Sequence, residues 1–183
     1  MSADVRVSNV SPAIGRPDKT EAAPYYFTYI DKVPGEDIVP FLSEQLETAG
    51  SLLASIGEEK SLFRYGPGKW SIREVLNHLN DTERVFAVRA LWFARGYETP
   101  LASFDQEIAI AHSKADTVSW AAQVEEFRRI RLASISLFEN LPAEAWMRAG
   151  IASENKVTVR ALAYIIAGHV EHHLRILKER YLK

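Results

Sequence analysis

Ala167-Gly168-His169-Val170-Glu171-His172-His173-Leu174-Arg175 places three of the chain's five histidines within five consecutive positions. The stretch lies inside a longer apolar period, with Leu162, Ile165 and Ile166 before it and Ile176 and Leu177 after it. That period predicts a helix over about Thr158 to Tyr181. At about 100° per residue, His169 and His173 fall within about 40° of each other, on the apolar stripe. His172 lies about 60° to one side of His169. Two imidazoles one turn apart on a buried face need partners, because unpaired polar groups in a core are costly. The partners are either side chains of neighbouring helices or a metal ion.

Three further amphipathic helices are expected upstream. The first opens near Asp37, with Pro40 tolerated in its first turn, and its stripe is Ile38, Leu42, Leu46, Ala49, Leu53 and Ile56. Gln45 lies at the edge of that stripe. The second opens at Ser71, where Glu74 completes a capping box, and runs to about Arg95-Gly96. Ile72, Val75, Leu79, Phe86 and Phe93 mark its buried side. His78 sits at the margin of that side, in line with Thr82, Val85 and Arg89. The third covers about Thr117 to Asn140, with Arg131 in the middle of an apolar stripe. Four long amphipathic helices and no convincing strand run predict an all-α four-helix bundle. Residues 1–33, with Pro12, Pro17 and Pro24, read as an irregular, strap-like extension, and residues 34–183 as the bundle. The aromatic run Tyr25 to Ile30 is expected to pack across the domain, and Pro100 to about Ala115 to be a connection with a short helix near Phe104 to Glu107.

Composition excludes several function classes. A net charge of −2 gives no electrostatic case for nucleic acid. No apolar run is long enough for a bilayer span, and the N-terminus lacks a basic start followed by an apolar stretch, so a cytoplasmic protein is expected. With no cysteine, any metal must be held by His, Asp or Glu. His78 points inward from the second helix. With His169 and His173 it makes a set of three imidazoles that leaves positions open for water or substrate, the catalytic arrangement. Zinc or nickel suits such a set first, with iron or manganese as alternatives. The order His-x-Glu-His-His is not the zincin motif, and Glu171 is expected to project away from the histidine pair into a solvated face with Arg175 and Lys178. His112 reads as a surface residue.

Two runs carry a family resemblance. Gly68-Lys69-Trp70-Ser71-Ile72-Arg73-Glu74-Val75-Leu76-Asn77-His78-Leu79-Asn80-Asp81-Thr82-Glu83-Arg84 is similar to the second-helix motif of the DinB/YfiT-like superfamily. Thr158-Val159-Arg160-Ala161-Leu162, followed by Ile165 to His173, resembles its last helix. The match covers roughly Pro34 to Lys183. The resemblance implies a bundle of unusual connectivity and a divalent metal held at the positions of His78, His169 and His173, the residues that geometry also selects. It implies chemistry of low-molecular-weight thiols, including S-transfer and thiol-dependent isomerisation, and a homodimer. One departure is that members often carry Gly-Gln after the last histidine, where this chain has Leu174-Arg175.

The expected function is therefore metal-dependent transfer of a thiol cofactor to a small-molecule electrophile, the ion acidifying a thiol or a water and presenting it as the nucleophile. The alternatives are a metal-dependent hydrolase and a non-enzymatic metal-binding or stress-related protein. Arg131, Gln45 and Thr82 are the pocket candidates. Arg131 has a second reading as half of a salt bridge to Glu83 or Asp81. Arg89 is expected in an interhelix ion pair, Glu83 as a structural partner, Trp70 at the bundle end, and Asp105 and Gln106 near the site.

Overall fold

The computed structural model describes residues 14–183, and the expected tail before Ile14 lies outside them. A 3-10 turn at Pro24–Tyr26 leads into a single helical turn, α1 (Phe27–Ile30). The first long helix, α2 (Ile38–Ala54), begins after Asp37. Helix α3 (Ile72–Ala94) carries the full capping box: Ser71 Oγ accepts from the Glu74 amide, and the Glu74 carboxylate accepts from the Ser71 amide. A short α4 (Gln106–Ser113) is capped by Asp105, two residues later than the sequence places it. Helix α5 (Trp120–Glu139) opens at Ser119, and α6 (Val159–Ile176) opens at Thr158 and ends in a π-helical turn, Leu177–Tyr181.

The connection before α6 is not irregular. Strands β1 (Ala149–Ala152) and β2 (Asn155–Thr158) form an antiparallel hairpin, with Ala152 opposite Asn155. Its two turn residues, Ser153 and Glu154, both have positive φ (50° and 64°). Turns of that kind favour Asn and Gly, so a Ser-Glu pair gives no hairpin signal in the sequence.

The four long helices form a ring in which α3 packs on α5 and α6, and α2 packs on the same two. The consecutive helices α2 and α3 therefore sit on a diagonal rather than side by side. The stripes expected from periodicity are the observed core: Ile38, Leu42, Leu53, Ile72, Leu79, Phe93, Phe127, Phe138, Leu162 and Ile165 are all buried. Among the described residues no helix is long and apolar enough to cross a membrane.

One polar network runs through this core and touches all four long helices. Arg131 of α5 is fully buried and donates from Nε and Nη2 to the two carboxylate oxygens of Glu83 on α3, at 2.9 Å each. Its Nη1 donates to Gln45 Oε1 on α2, at 2.6 Å. Gln45 Nε2 in turn donates to the Ala167 carbonyl (2.9 Å) and to Glu171 Oε1 (2.7 Å), both on α6. Arg131 is thus a structural ion pair, and Glu171 faces α2 and is half-buried, contrary to the solvated position expected for it. Breaking a buried pair on one side leaves an uncompensated charge. Glu83→Ala is expected to lower unfolding free energy by about 3–5 kcal/mol, and Glu83→Leu combined with Arg131→Met by much less. Equal losses for the two, measured by urea denaturation, would remove the network from its central role.

Candidate metal centre

Two helices and the N-terminal strap build the site. His78 stands in the second turn of α3. His169 and His173 stand one turn apart on α6, on the side of that helix opposite the Gln45 contacts at Ala167 and Glu171. His78 Nε2 lies 3.0 Å from His169 Nε2, and His173 Nε2 lies 3.1 Å from the same atom. All three donor atoms fall within 4.8 Å of one another. A zinc–nitrogen bond of about 2.0–2.1 Å places neighbouring ligand nitrogens about 2.9–3.4 Å apart for angles between octahedral and tetrahedral. The two spacings from His169 Nε2 lie in that window.

The donor set also fits a cation on proton grounds. His169 Nε2 faces two other Nε2 atoms, yet an imidazole nitrogen carries at most one proton. Hydrogen bonding satisfies one of those contacts well; a cation at the centre satisfies every lone pair. His78 is set up for that role: its Nδ1 lies 3.3 Å from Thr82 Oγ1, and donation to that hydroxyl leaves the Nε2 lone pair facing inward. His173 Nδ1 is buried without a partner.

Burial keeps these imidazoles neutral. It pulls His78 down from 6.5 to about 4, with His172 adding a smaller push. It pulls His173 to about 3, helped by His78 and His172. His169 is held well below its ordinary value, first by burial and then by the neighbouring histidines. Neutral imidazole is the ligating form, so the protein presents the three without proton competition at neutral pH.

The strap closes one side. The Tyr29 ring meets the His169 ring edge-on at 5.2 Å and the His172 ring at 5.4 Å, and its hydroxyl is 2.7 Å from that of Tyr25. This approach depends on Gly168, where a Cβ would lie 2.1 Å from the Tyr29 carbonyl oxygen. The Trp70 ring covers His78 from the other direction at 5.1 Å, so it packs against the site rather than only at the bundle end. A cavity of about 170 Å³ opens from His78 and His169, walled by Tyr26, Phe86 and Phe104.

Of the three pocket candidates only Thr82 lines this cavity. Arg131 and Gln45 do not, since both are consumed in the buried network behind α6. Gln106 reaches the rim, Asp105 caps α4, and His112 is exposed as expected. Among the described residues Arg89 has no ion-pair partner. It is buried beside the cavity and its Nη2 donates to the Ala102 carbonyl (2.8 Å) and Ser153 Oγ (3.1 Å). The sequence reading missed Tyr29 as a wall of the site. The signal was present in the aromatic run opposite a glycine-histidine pair, but only a fold brings residues so far apart in the chain together.

The family model of the DinB superfamily matches residues 42–177. The chain belongs to the DinB superfamily. Among solved structures, this DinB-superfamily chain is similar to YfiT from Bacillus subtilis, described as a probable metal-dependent hydrolase with an unusual four-helix bundle topology. The TM-score is 0.69 at 16% identity, over 80% of this chain and 87% of that one. It is also similar to a mycothiol-dependent maleylpyruvate isomerase, with a TM-score of 0.65 at 14% identity, over 79% of this chain. The match spans 60% of the isomerase. At these identities the likeness establishes the fold alone. No curated protein matches the chain.

Two outcomes are expected from this geometry. Gly168→Ala should push the strap off α6 and cost about 1–3 kcal/mol, with Tyr29 fluorescence and near-ultraviolet dichroism reporting the displacement. The metal-free protein should lose stability as pH falls. Above the unfolded histidine value of about 6.5 neither state is protonated; below it the unfolded chain takes up protons that folded His78 refuses until about pH 4. His78 alone then removes on the order of 3 kcal/mol across that window. His78→Leu should flatten the profile by about one proton, and an unchanged slope in that variant would contradict the assignment.

Proposed function

We propose that the chain is a divalent-metal-dependent enzyme that transfers a low-molecular-weight thiol to a small electrophile, with His78, His169 and His173 as the metal ligands. The observation that carries the reading is the convergence of three neutral Nε2 atoms, with two of the imidazoles, His78 and His169, lining an open, aromatic-walled cavity. Zinc or nickel is the ion favoured by an all-imidazole set, with iron or manganese next. When bound, the ion supplies Lewis acidity that brings a thiol's pKa into the neutral range.

The chain's own residues do the rest. Thr82 orients His78 through its Nδ1–H. Tyr29 and Trp70 fix the rings of His169 and His78 from either side. Tyr26, Phe86 and Phe104 exclude water and offer flat apolar faces to an electrophile. In the transfer, sulfur forms the new bond to carbon, the leaving group departs with the bonding pair, and the thiol proton goes to solvent.

A hydrolase is the second reading, favoured by the description of YfiT as a probable metal-dependent hydrolase. Water is a weaker acid than a thiol and is commonly activated with the help of a carboxylate base. Among the described residues no Asp or Glu lines the cavity, which favours the thiol. A homodimer belongs to the same proposal.

Stoichiometric metal by elemental analysis is expected in the native protein, and its loss in His173→Ala. Zinc added to the metal-free protein should raise the melting temperature in proportion to the logarithm of its concentration. Turnover of chlorodinitrobenzene should require an added thiol. Ester turnover without thiol would favour the hydrolase instead. Full metal retention by His173→Ala would overturn the ligand assignment. A metal-free native protein indifferent to zinc would leave a non-enzymatic role.

A further inference from the structure

Each of the other buried arginines has a carboxylate. Arg131 holds Glu83, Arg73 contacts Glu58, and Arg160, largely covered, contacts Glu21. Arg89 alone among the buried arginines has none within 4.0 Å among the described residues, although it is only 4% exposed. Its neighbours are neutral: the Ala102 carbonyl, the Ser153 hydroxyl, the hydroxyl of Tyr26 and the face of Phe86, whose ring centre lies 5.4 Å from its Cζ. Both described hydrogen bonds leave from the same nitrogen, Nη2. Nη2 is thus fully used, and of the donors on Nε and Nη1 only the approach of the Tyr26 hydroxyl takes a share. A buried charge is normally compensated, and guanidinium keeps its proton under ordinary conditions.

The missing partner has a place to sit. Arg89 lines the same cavity as His78 and His169. Arg89 follows His78 by eleven positions on α3, which brings the two to within about 20° on the helix surface. The long arginine side chain leans back toward the N-terminal end of the helix, so the guanidinium approaches the histidines to roughly 10 Å. Between them lie Thr82 and the apolar Val85 and Phe86. The cavity thus has the imidazoles of His78 and His169 at one end, an apolar middle and, at the other end, a guanidinium without a carboxylate among the described residues.

We propose that the small molecule taken by this site carries a carboxylate, and that Arg89 is the specificity-determining residue that clamps it at the end of the cavity away from the histidines. This rests on the metal-centred reading only for the identity of the reacting end; the clamp stands on the arginine and the cavity. The donors left on Nε and Nη1 can meet a carboxylate through charge-assisted hydrogen bonds, which are stronger than neutral ones. An apolar chain between acid and reactive end would lie against Phe86.

The test uses matched probes on the metal-loaded protein, with cobalt as the ion so that sulfur binding gives a near-ultraviolet charge-transfer band. Mercaptohexanoate should bind at least about tenfold more tightly than mercaptohexanol. Arg89→Met should erase that preference and leave the mercaptohexanol affinity and the cobalt content unchanged. Arg89→Lys, which keeps the charge and loses the planar set of donors, should retain part of it. Calorimetry with hexanoate and hexanol, which lack sulfur, reads the clamp alone. An Arg89-dependent preference for hexanoate with no sulfur band from either thiol would defeat the thiol reading and leave the clamp standing. Sulfur bands of equal strength from both thiols, unaltered in Arg89→Met, would overturn the clamp and leave the metal site intact. No preference for acid over alcohol in either experiment likewise overturns it. Saturating the protein with mercaptoethanol before adding hexanoate separates the two sources of the carboxylate. Continued Arg89-dependent binding places it on the electrophile, and exclusion places it on the thiol.

Discussion

The guanidinium of Arg131 has no exposure to solvent, and its compensation fixes how the four long helices meet. Glu83 accepts two of its hydrogen bonds from α3 and Gln45 accepts a third from α2, so α5 cannot rotate or slide against either without stranding a charge. Gln45 passes the constraint on. Its amide nitrogen reaches the Ala167 carbonyl and Glu171, which grips α6 from behind. A helix held on one side presents a defined opposite side, and on α6 that side carries His169 and His173. The apolar stripes supply the main driving force for packing, but they are tolerant of small rotations. The polar network is directional, and the proposed metal site would need its nitrogen positions correct to about half an ångström.

The same arrangement explains why α2 and α3 can lie on a diagonal. Consecutive helices with a short link tend to pair with each other. Here the link from Ser55 to Ser71 is itself pinned: Arg73 donates to Ser61 Oγ, to the backbone carbonyls of Asp116 and Val118, and to Glu58. Those bonds tie the start of α3 to the segment that leads into α5. The chain is therefore carried across the end of the bundle, and α3 lands beside α6. Without that placement His78 would be remote from the histidine pair.

Much of this was legible in the sequence because it rests on local rules. Helical period and the Ser71–Glu74 capping box locate α2, α3, α5 and α6, and the one-turn spacing of His169 and His173 places both on one face. Arg131 in an apolar stripe announces a buried partner, and Glu83 was among the two named for it. The illegible parts depend on contacts without a local signature. The β1–β2 turn uses Ser153 and Glu154 in left-handed conformations that neither residue favours, so its hairpin is imposed by surroundings. Glu171 sits among Arg175, Lys178 and other polar residues in a pattern that looks solvated, and only the position of Gln45 makes it a structural acceptor. Arg89 reads as half of an ion pair from any pattern of charges. Among the described residues it has no such partner, because the packing around it brings carbonyl, hydroxyl and aromatic groups rather than a carboxylate.

The strap shows how a site residue can be supplied by a segment with little regular structure. Its one helical turn is too short to be stable alone. It is held by Arg160, which contacts Glu21 and the Ile14 carbonyl, by Arg16, which donates to the carbonyls of Ile30 and Gly35, and by the close fit at Gly168. Gly168 and His169 are adjacent, so the residue that admits the strap and the residue the strap covers share one turn of α6. The sequence pairing Gly-His is thus a single structural statement: the backbone of the strap comes close enough for Tyr29 to set the His169 ring. The imidazole that faces both other histidines is the one held most firmly, from behind through Ala167 and Gln45 and from above through Tyr29. His173, with its Nδ1 unpartnered, is held least, and the geometry of the centre follows from His169 outward.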